Sequence, residues 1–176
     1  MKRYLSVFLL VIMCFTGCSA SSSSGNSESA EDKTTAGGEQ TTEAGAYVVN
    51  GVTVVPGKDF ADANKALGEP INYTEAASCY FDGMDKVFTY DGFEITTYPV
   101  GDKDYVQDIC ISSDKYETVE GITIGSALDE VVQAYGEDYE LTGKMYRYFY
   151  NDNAYMYFFI MDEGVKYFGY AINPDN

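Results

Sequence analysis

The chain has 176 residues, with 28 Asp and Glu against 11 Lys and Arg, a formal net charge of −17 at pH 7, and no histidine. A surface this acidic repels phosphate groups, so nucleic acid is not an expected partner. The lack of histidine excludes histidine-based catalytic triads and the commonest neutral metal ligand. We therefore expect no cofactor, no metal and no enzymatic activity.

The first 18 residues combine the features of an export signal. Lys2 and Arg3 form a basic head, and the apolar run over residues 4–15 is shorter than a membrane-spanning helix requires. The tetrad Phe-Thr-Gly-Cys that ends at Cys18 resembles the lipobox of bacterial lipoproteins. The resemblance implies that the signal is cut before Cys18 and that this cysteine is lipidated. A plain secretory signal and an uncleaved anchor are the alternatives.

A polar segment follows the predicted lipidation site. Residues 19–45 contain no aromatic residue and no Val, Ile, Leu or Met. Such a segment cannot bury enough apolar surface to offset its ordering entropy. We interpret residues 1–17 as a signal peptide and residues 18–45 as a lipidated cysteine with a disordered tether. This places the protein on the extracytoplasmic face of the cell membrane, which it contacts through its lipid anchor.

The first half of the remaining chain predicts a hairpin, a helix and several strands. Asn50-Gly51 lies between two runs rich in valine, which is a strong hairpin signal. Asp59 is a suitable N-cap for a helix that ends at Gly68, with Pro70 beyond it. Alternation predicts strands near residues 78–82, 86–90, 93–99 and 105–111.

The second half predicts another helix followed by strands. Ser126 is a suitable N-cap, and apolar residues recur at helical spacing from Leu128 to Tyr135, before Gly136. Strands are predicted at 144–150, 154–161 and 165–172, with turns at 151–153 and 162–164.

The two halves match each other at an offset of about 68 residues. The matches place Gly57 on Gly125, Gly68 on Gly136 and Glu69 on Glu137, in the same order as the predicted helices. The sequence therefore predicts an α+β fold of two tandem helix-plus-antiparallel-sheet repeats, over residues 46–112 and 113–176. Chance identity between two aromatic-rich halves is the alternative.

Alternation gives the strands of the second half two chemically different faces. One face, expected to pack on the helices, carries Met156, Phe158, Ile160, Val165, Gly169 and Ala171. The other is predicted to be an exposed binding surface, because tyrosine combines a rigid apolar ring with a polar tip. Its members are Tyr146, Tyr148, Tyr150, Tyr155, Tyr157, Phe159, Phe168 and Tyr170. Alternatively, these rings pack against the other half or only raise strand propensity.

Two cysteines lie in the predicted folded part, Cys79 and Cys110. Cys110 alternates with Ile109 and Ile111, so its side chain is expected on the outer face, whereas Cys79 is expected on the inner face. This parity argues against a disulfide between them. A slip of one residue in either strand would reverse the argument, so the disulfide stays open.

Three segments resemble firmicute lipoproteins of unknown function: SCYFDGMDK at 78–86, TTYP at 96–99 and EGITIG at 120–125. The helix-then-sheet repeat also resembles, more distantly, the fold of the beta-lactamase inhibitor protein and of small lipoproteins of outer-membrane assembly. These relatives bind proteins, and the inhibitor uses a concave aromatic sheet surface. The resemblance implies protein binding and names no contact residue here.

Together these features predict a membrane-anchored lipoprotein that binds an unidentified protein partner through an aromatic sheet face. The first alternative is a structural or assembly factor of the cell envelope. The second is a carbohydrate-binding module or an unrecognised hydrolase, for which acidic pairs such as Asp102 with Asp104 could be imagined as catalytic carboxylates. In so acidic a chain, such pairs are more often solvated turn residues.

Overall fold

The structure, a computed structural model, describes residues 45–173. The predicted signal peptide at 1–17, the predicted lipidation site Cys18 and the tether up to residue 44 lie outside the described residues. Within the described range, no helix is long and apolar enough to cross a membrane.

Two helices and ten strands make up the described part of the chain. The helices are α1 (Ala61–Leu67) and α2 (Leu128–Tyr135). The strands are β1 (Tyr47–Val49), β2 (Val52–Val54), β3 (Asn72–Ala77), β4 (Met84–Tyr90), β5 (Phe93–Val100), β6 (Lys103–Ile111), β7 (Glu140–Thr142), β8 (Met145–Asn151), β9 (Ala154–Met161) and β10 (Gly164–Ile172).

Eight of the strands form one antiparallel sheet in the order β3-β4-β5-β6-β10-β9-β8-β7. Each helix is followed along the chain by four of these strands, and the two groups meet where β6 pairs with β10. The strands β3 and β7 are the two edges of the sheet. The α+β class predicted from the sequence is confirmed.

The predicted hairpin is formed by β1 and β2, which pair only with each other. Its turn residues Asn50 and Gly51 have φ angles of 51° and 76°. Positive φ at both central positions defines the type I′ turn, whose twist matches that of the strands it joins. The Asn-Gly pair is favoured there because both residues tolerate this conformation.

The helices end at the predicted glycines, Gly68 and Gly136, but the N-cap of each lies one residue after the predicted cap. At α1 the predicted cap Asp59 was wrong by one residue, because Phe60 holds the N-cap position; the Asp59 carboxylate still accepts a hydrogen bond of 3.0 Å from the Ala61 N–H. At α2 the predicted cap was wrong, because Ala127 holds the N-cap position instead of Ser126. The Glu130 side chain compensates by accepting a 2.7 Å hydrogen bond from the Ala127 N–H.

The core lies between one face of the large sheet and a layer made of the two helices and the β1–β2 hairpin. Tyr47 of the hairpin stacks on Tyr170 at a ring distance of 5.0 Å, and Tyr135 of α2 lies 5.2 Å from Phe158. Sheet residues buried in this core include Ile95, Ile109, Ile111, Met156, Phe158, Phe168 and Tyr170. We call this side of the sheet the covered face and the opposite side the open face.

Both edge strands were missed in the sequence. The predicted strand at 78–82 is wrong: these residues form an irregular loop, and the strand before it is β3. All residues of β3 and β7 are exposed, so neither strand carries the alternation of buried and exposed positions that identifies the inner strands.

Candidate functional site

The open face is built from strand residues whose side chains point away from the helices. Cys110 lies on this face, since it alternates with the buried Ile109 and Ile111. Strand pairing then assigns the residues opposite Cys110 to the same face. One row across the sheet contains Thr89, Glu94, Cys110, Gly169, Tyr157 and Arg147, and the next contains Val87, Thr96, Asp108, Ala171, Tyr155 and Phe149.

Five aromatic rings dominate the open face on β8, β9 and β10. We call Phe149, Tyr155, Tyr157, Phe159 and Tyr167 the aromatic strip. Phe159 and Tyr167 stack in parallel at 4.8 Å, and Tyr155 lies 5.4 Å from Phe149 and 6.1 Å from Tyr157. Phe149 is exposed, and all the others except Tyr157 are half-buried. The buried Tyr157 ring lies 6.3 Å from Tyr167 and so joins the two pairs, and the other four rings contact solvent.

A cation borders this strip. The Arg147 guanidinium carbon lies 5.6 Å from the Phe149 ring centre and 5.7 Å from that of Tyr155. Its NH2 group also donates to Glu140 at 3.2 Å on the edge strand β7. Stacking of this kind combines cation–π attraction with apolar contact along the side-chain stem.

The eight residues predicted as one binding surface are divided between the two faces. Tyr155, Tyr157 and Phe159 lie on the open face. The prediction was wrong for Tyr146, Tyr148, Phe168 and Tyr170, which belong to or pack against the covered-face core. The Tyr150 ring stacks in parallel with Tyr170 at 6.4 Å, so it does not join the aromatic strip.

Two β-bulges explain this error. In β8 the pairing register with β9 shifts between Phe149 and Asn151, and in β10 it shifts between Val165 and Tyr167. One extra residue reverses the face of every side chain beyond it. Beyond the first bulge, Tyr148 therefore pairs with the core residue Met156. The predicted inner-face positions Gly169 and Ala171 lie instead on the open face.

Sequence reasoning missed three members of the site: Arg147, Phe149 and Tyr167. Each is a sequence neighbour of a residue that was assigned to the predicted binding surface. Because neighbouring side chains of a strand point to opposite faces, the three residues were assigned to the other face. A usable signal was present in Gly169, because a glycine inside a strand often marks a close approach of another group.

Gly169 leaves the space that the Tyr157 ring occupies. A Cβ atom at this glycine would lie 2.6 Å from the Tyr157 ring carbon Cζ and would also collide with the carbonyl oxygen of Ile109. The ring of Tyr157 can thus cross β10 and donate from its hydroxyl to the Asp108 carboxylate, at 2.9 Å to Oδ1 and 3.0 Å to Oδ2.

This contact lies in a poorly solvated part of the open face. Burial raises the pKa of Asp108 to about 7, although the Tyr157 hydrogen bond lowers it. Burial, with the neighbouring Asp108 charge, raises the pKa of the Cys110 thiol to about 11. Burial also raises the pKa of Tyr157, so its hydroxyl stays a proton donor at neutral pH. Cys110 is therefore a protonated thiol and a poor nucleophile.

The two cysteines are not joined by a disulfide. Cys79 is exposed in the loop between β3 and β4, and Cys110 lies half-buried on the open face. The disulfide that side-chain parity left open is therefore not formed in the described structure.

The loop at 78–83 folds against the open face and joins two of the segments singled out in the sequence. The Phe81 ring stacks on Tyr98 at 4.8 Å. A cavity of about 270 Å³ lies beneath this loop, and a second of about 300 Å³ lies beside Asp108 and Tyr155. Gln107 and Ile172 line both cavities. The two cavities and the aromatic strip form one surface, which is the candidate functional site.

Among residues 45–173, no group of three or more acidic or cysteine side chains has the arrangement of a metal site. Comparison of the chain with protein-family models, with curated proteins and with solved structures gives no match.

Proposed function

We propose that this chain is a non-enzymatic lipoprotein, anchored on the extracytoplasmic face of the cell membrane, that binds another protein through the aromatic strip. The observation that carries the proposal is the group of four solvent-contacting rings, packed around the buried Tyr157, on the side of the sheet opposite the helices. Aromatic rings bury a large area on binding and lose little rotamer entropy, which makes them frequent interface hot spots.

The arrangement around the strip favours protein binding over catalysis. The larger of the two cavities is lined by one carboxylate, Asp108, together with Tyr155, Tyr157 and apolar or neutral residues. A hydrolase that uses paired carboxylates needs two of them converging on one pocket. A shallow surface of rings bordered by Arg147 instead suits a partner that presents apolar and acidic groups.

The proposed anchor depends on the tetrad at residues 15–18. Each buried methylene of an acyl chain contributes about 0.8 kcal/mol of membrane affinity, so two or more chains on Cys18 would hold the protein stably. The polar residues after Cys18 would then separate the membrane from the folded part.

We also infer that the chain arose by duplication, with repeats at 46–112 and 113–176 related to the fold of the beta-lactamase inhibitor protein. Each proposed repeat contains one helix followed by four strands, and the sheet order reads outward from its centre as β6-β5-β4-β3 on one side and β10-β9-β8-β7 on the other. Gly68 and Gly136 end the two helices, as the offset of 68 residues requires. These correspondences support the duplication.

Affinity capture tests the binding proposal. The full-length protein with a C-terminal tag is crosslinked in cells and purified from membranes, beside a Tyr155→Ala/Tyr167→Ala variant. Loss of hot-spot rings costs about 2 kcal/mol or more, so the variant should bind a captured partner about 30-fold more weakly.

Tyr73→Ala is the matched control, because Tyr73 is 45% exposed but lies on the edge strand β3, away from the strip. This variant should capture the partner as the native protein does. Equal recovery with all three proteins would exclude the aromatic strip as the binding surface.

A further inference from the structure

The loop at 78–83 has a defined shape that closes one end of the open face. The Ser78 hydroxyl accepts hydrogen bonds from the backbone N–H groups of Tyr80 at 3.3 Å and Phe81 at 3.2 Å. The Ser78 N–H donates to the carbonyl of Gly83 at 3.0 Å. These contacts hold the backbone of both aromatic residues in one loop conformation.

Three aromatic rings surround the cavity beneath this loop. Tyr80 and Phe81 come from the loop, and Tyr98 comes from β5 below it. The cavity of about 270 Å³ is smaller than the roughly 300–1,000 Å³ of pockets for drug-sized ligands. It therefore has room for one side-chain-sized group rather than for an extended molecule.

One carboxylate in this cavity has an unsatisfied oxygen. Asp85 lines the cavity, and its Oδ1 atom is buried without a hydrogen-bond partner among the described residues. A buried acceptor without a donor is costly, and a cation beside the carboxylate would stabilise its charge. The cavity is thus lined by one carboxylate and three aromatic side chains.

We propose that this cavity binds a cationic group, an ammonium or guanidinium at the end of a short apolar stem. The donor would pair with the Asp85 carboxylate, and the rings of Tyr80, Phe81 and Tyr98 would surround the stem and the positive charge. The overall charge of −17 raises the local concentration of cations and supports the same assignment.

The group can belong to a free small amine or to a Lys or Arg side chain of a bound protein. In the second case the inference rests on the proposed protein-binding role of the open face and specifies the chemistry of the partner at this end. Titration with a small cation needs no protein partner, so its failure would leave the capture result with the aromatic strip unaffected.

The test is a titration of the full-length protein with n-butylguanidinium and n-butylammonium, followed by the NMR signals of Gln107 and Gly83. n-Butanol is the neutral control of the same stem. Both cations should shift these signals saturably, and n-butanol should not. A blocked Ala-rich peptide with one central arginine distinguishes a protein side chain from a free amine as the ligand. Tighter binding of the peptide than of butylguanidinium indicates a protein side chain, and weaker binding indicates a free amine.

Asp85→Asn should weaken cation binding at least tenfold. Asp82→Asn is its matched control, because Asp82 is exposed in the same loop and its replacement changes the net charge equally. Tyr80→Ala, which alters a ring that is 80% exposed, should also weaken binding without unfolding the protein. No saturable shift with either cation, or equal weakening by Asp82→Asn and Asp85→Asn, would overturn the proposal.

Discussion

The hydroxyl of Tyr157 donates to the carboxylate of Asp108 from two strands away, with oxygen separations of 2.9 Å and 3.0 Å. β10 lies between the two residues, and the ring crosses it above Gly169. Because Asp108 is on β6 and Tyr157 is on β9, this contact links the two groups of four strands on the open face.

The stability of the protein should depend on the protonation of Asp108. Its pKa in the folded state is about 7, above the value of about 3.9 for an unfolded aspartate. The folded state therefore binds more protons than the unfolded state between about pH 4 and pH 7, so this group lowers stability as the pH rises through that window.

Asp108→Asn removes this titration and keeps a carbonyl acceptor for Tyr157. The native protein should lose stability between pH 5 and pH 8 as Asp108 ionises, and the variant should not. The difference in the free energy of unfolding, variant minus native, should therefore rise by about 2–3 kcal/mol over this range, since about two pKa units of the difference between the folded and unfolded states fall within it. Urea unfolding at both pH values measures it. Asp138→Asn, at an exposed position, should show no comparable change, and a flat difference for Asp108→Asn would contradict the prediction.

Gly169→Ala should destabilise the protein through overpacking by about 2–3 kcal/mol. Its new Cβ atom would collide with both the Tyr157 ring and the backbone oxygen of Ile109. Thermal unfolding measures the loss. In a double-mutant cycle with Tyr157→Ala the two changes should couple, because both act on the same crossing. Additive losses would show that the ring is not the main source of the clash.

Tyr148 and Tyr155 should respond differently to truncation, although the sequence assigned them to one surface. Tyr148 is 8% exposed, packs 5.5 Å from Tyr135 and donates to the Gly136 carbonyl at 3.2 Å. Tyr148→Ala should cost about 3 kcal/mol, as truncation of buried aromatic residues does, and Tyr155→Ala about 1 kcal/mol. Urea unfolding of both variants tests this order, and a reversal would contradict the assignment of faces.

The two cysteines of the described part should differ in alkylation rate. Cys79 is exposed, whereas Cys110 is half-buried with a pKa raised to about 11, which leaves almost no thiolate at pH 8. Iodoacetamide at pH 8 should therefore label Cys79 within minutes and Cys110 only after unfolding, as mapped by peptide mass. Equal labelling of both in the folded protein would show that Cys110 is not shielded.

Cys18→Ser should release the protein from the membrane, since the proposed anchor is attached to that sulfur. Fractionation of cells that produce the native or the variant chain measures the change. Cys14→Ser is the matched control, because it alters a cysteine in the apolar run and should leave attachment intact. Persistence of Cys18→Ser in the membrane fraction would exclude lipidation at this site.

The sequence predicted the inner strands, the first hairpin and the positions where both helices end. These elements carry local signals: alternation from Phe93 to Val100, the Asn50-Gly51 turn, and glycine after each helix. It failed at the edges, because β3 and β7 bury no residue and so lack alternation.

The candidate site was predicted less well than the fold. Whether Tyr148 and Tyr157 share a face depends on a single extra residue at the β8 bulge, and side-chain parity carries no information about such an insertion. Similarly, the cavity beneath residues 78–83 requires contact between Phe81 and Tyr98, which depends on the loop conformation of this segment. The aromatic residues of the segment have high strand propensity, and the sequence therefore predicted a strand there.

The position of β10 determines when the sheet can be completed. The last of the described strands in synthesis order is one of the two central strands, and it pairs with β6 on one side and β9 on the other. Until residues 164–172 have been synthesised, no strand of the second half can pair with a strand of the first half. The pairing of β10 with β6 therefore forms late and closes a long loop of the chain. Truncation before residue 164 would therefore leave β6 and β9 as two new unpaired edges, each able to pair with another chain and seed aggregation.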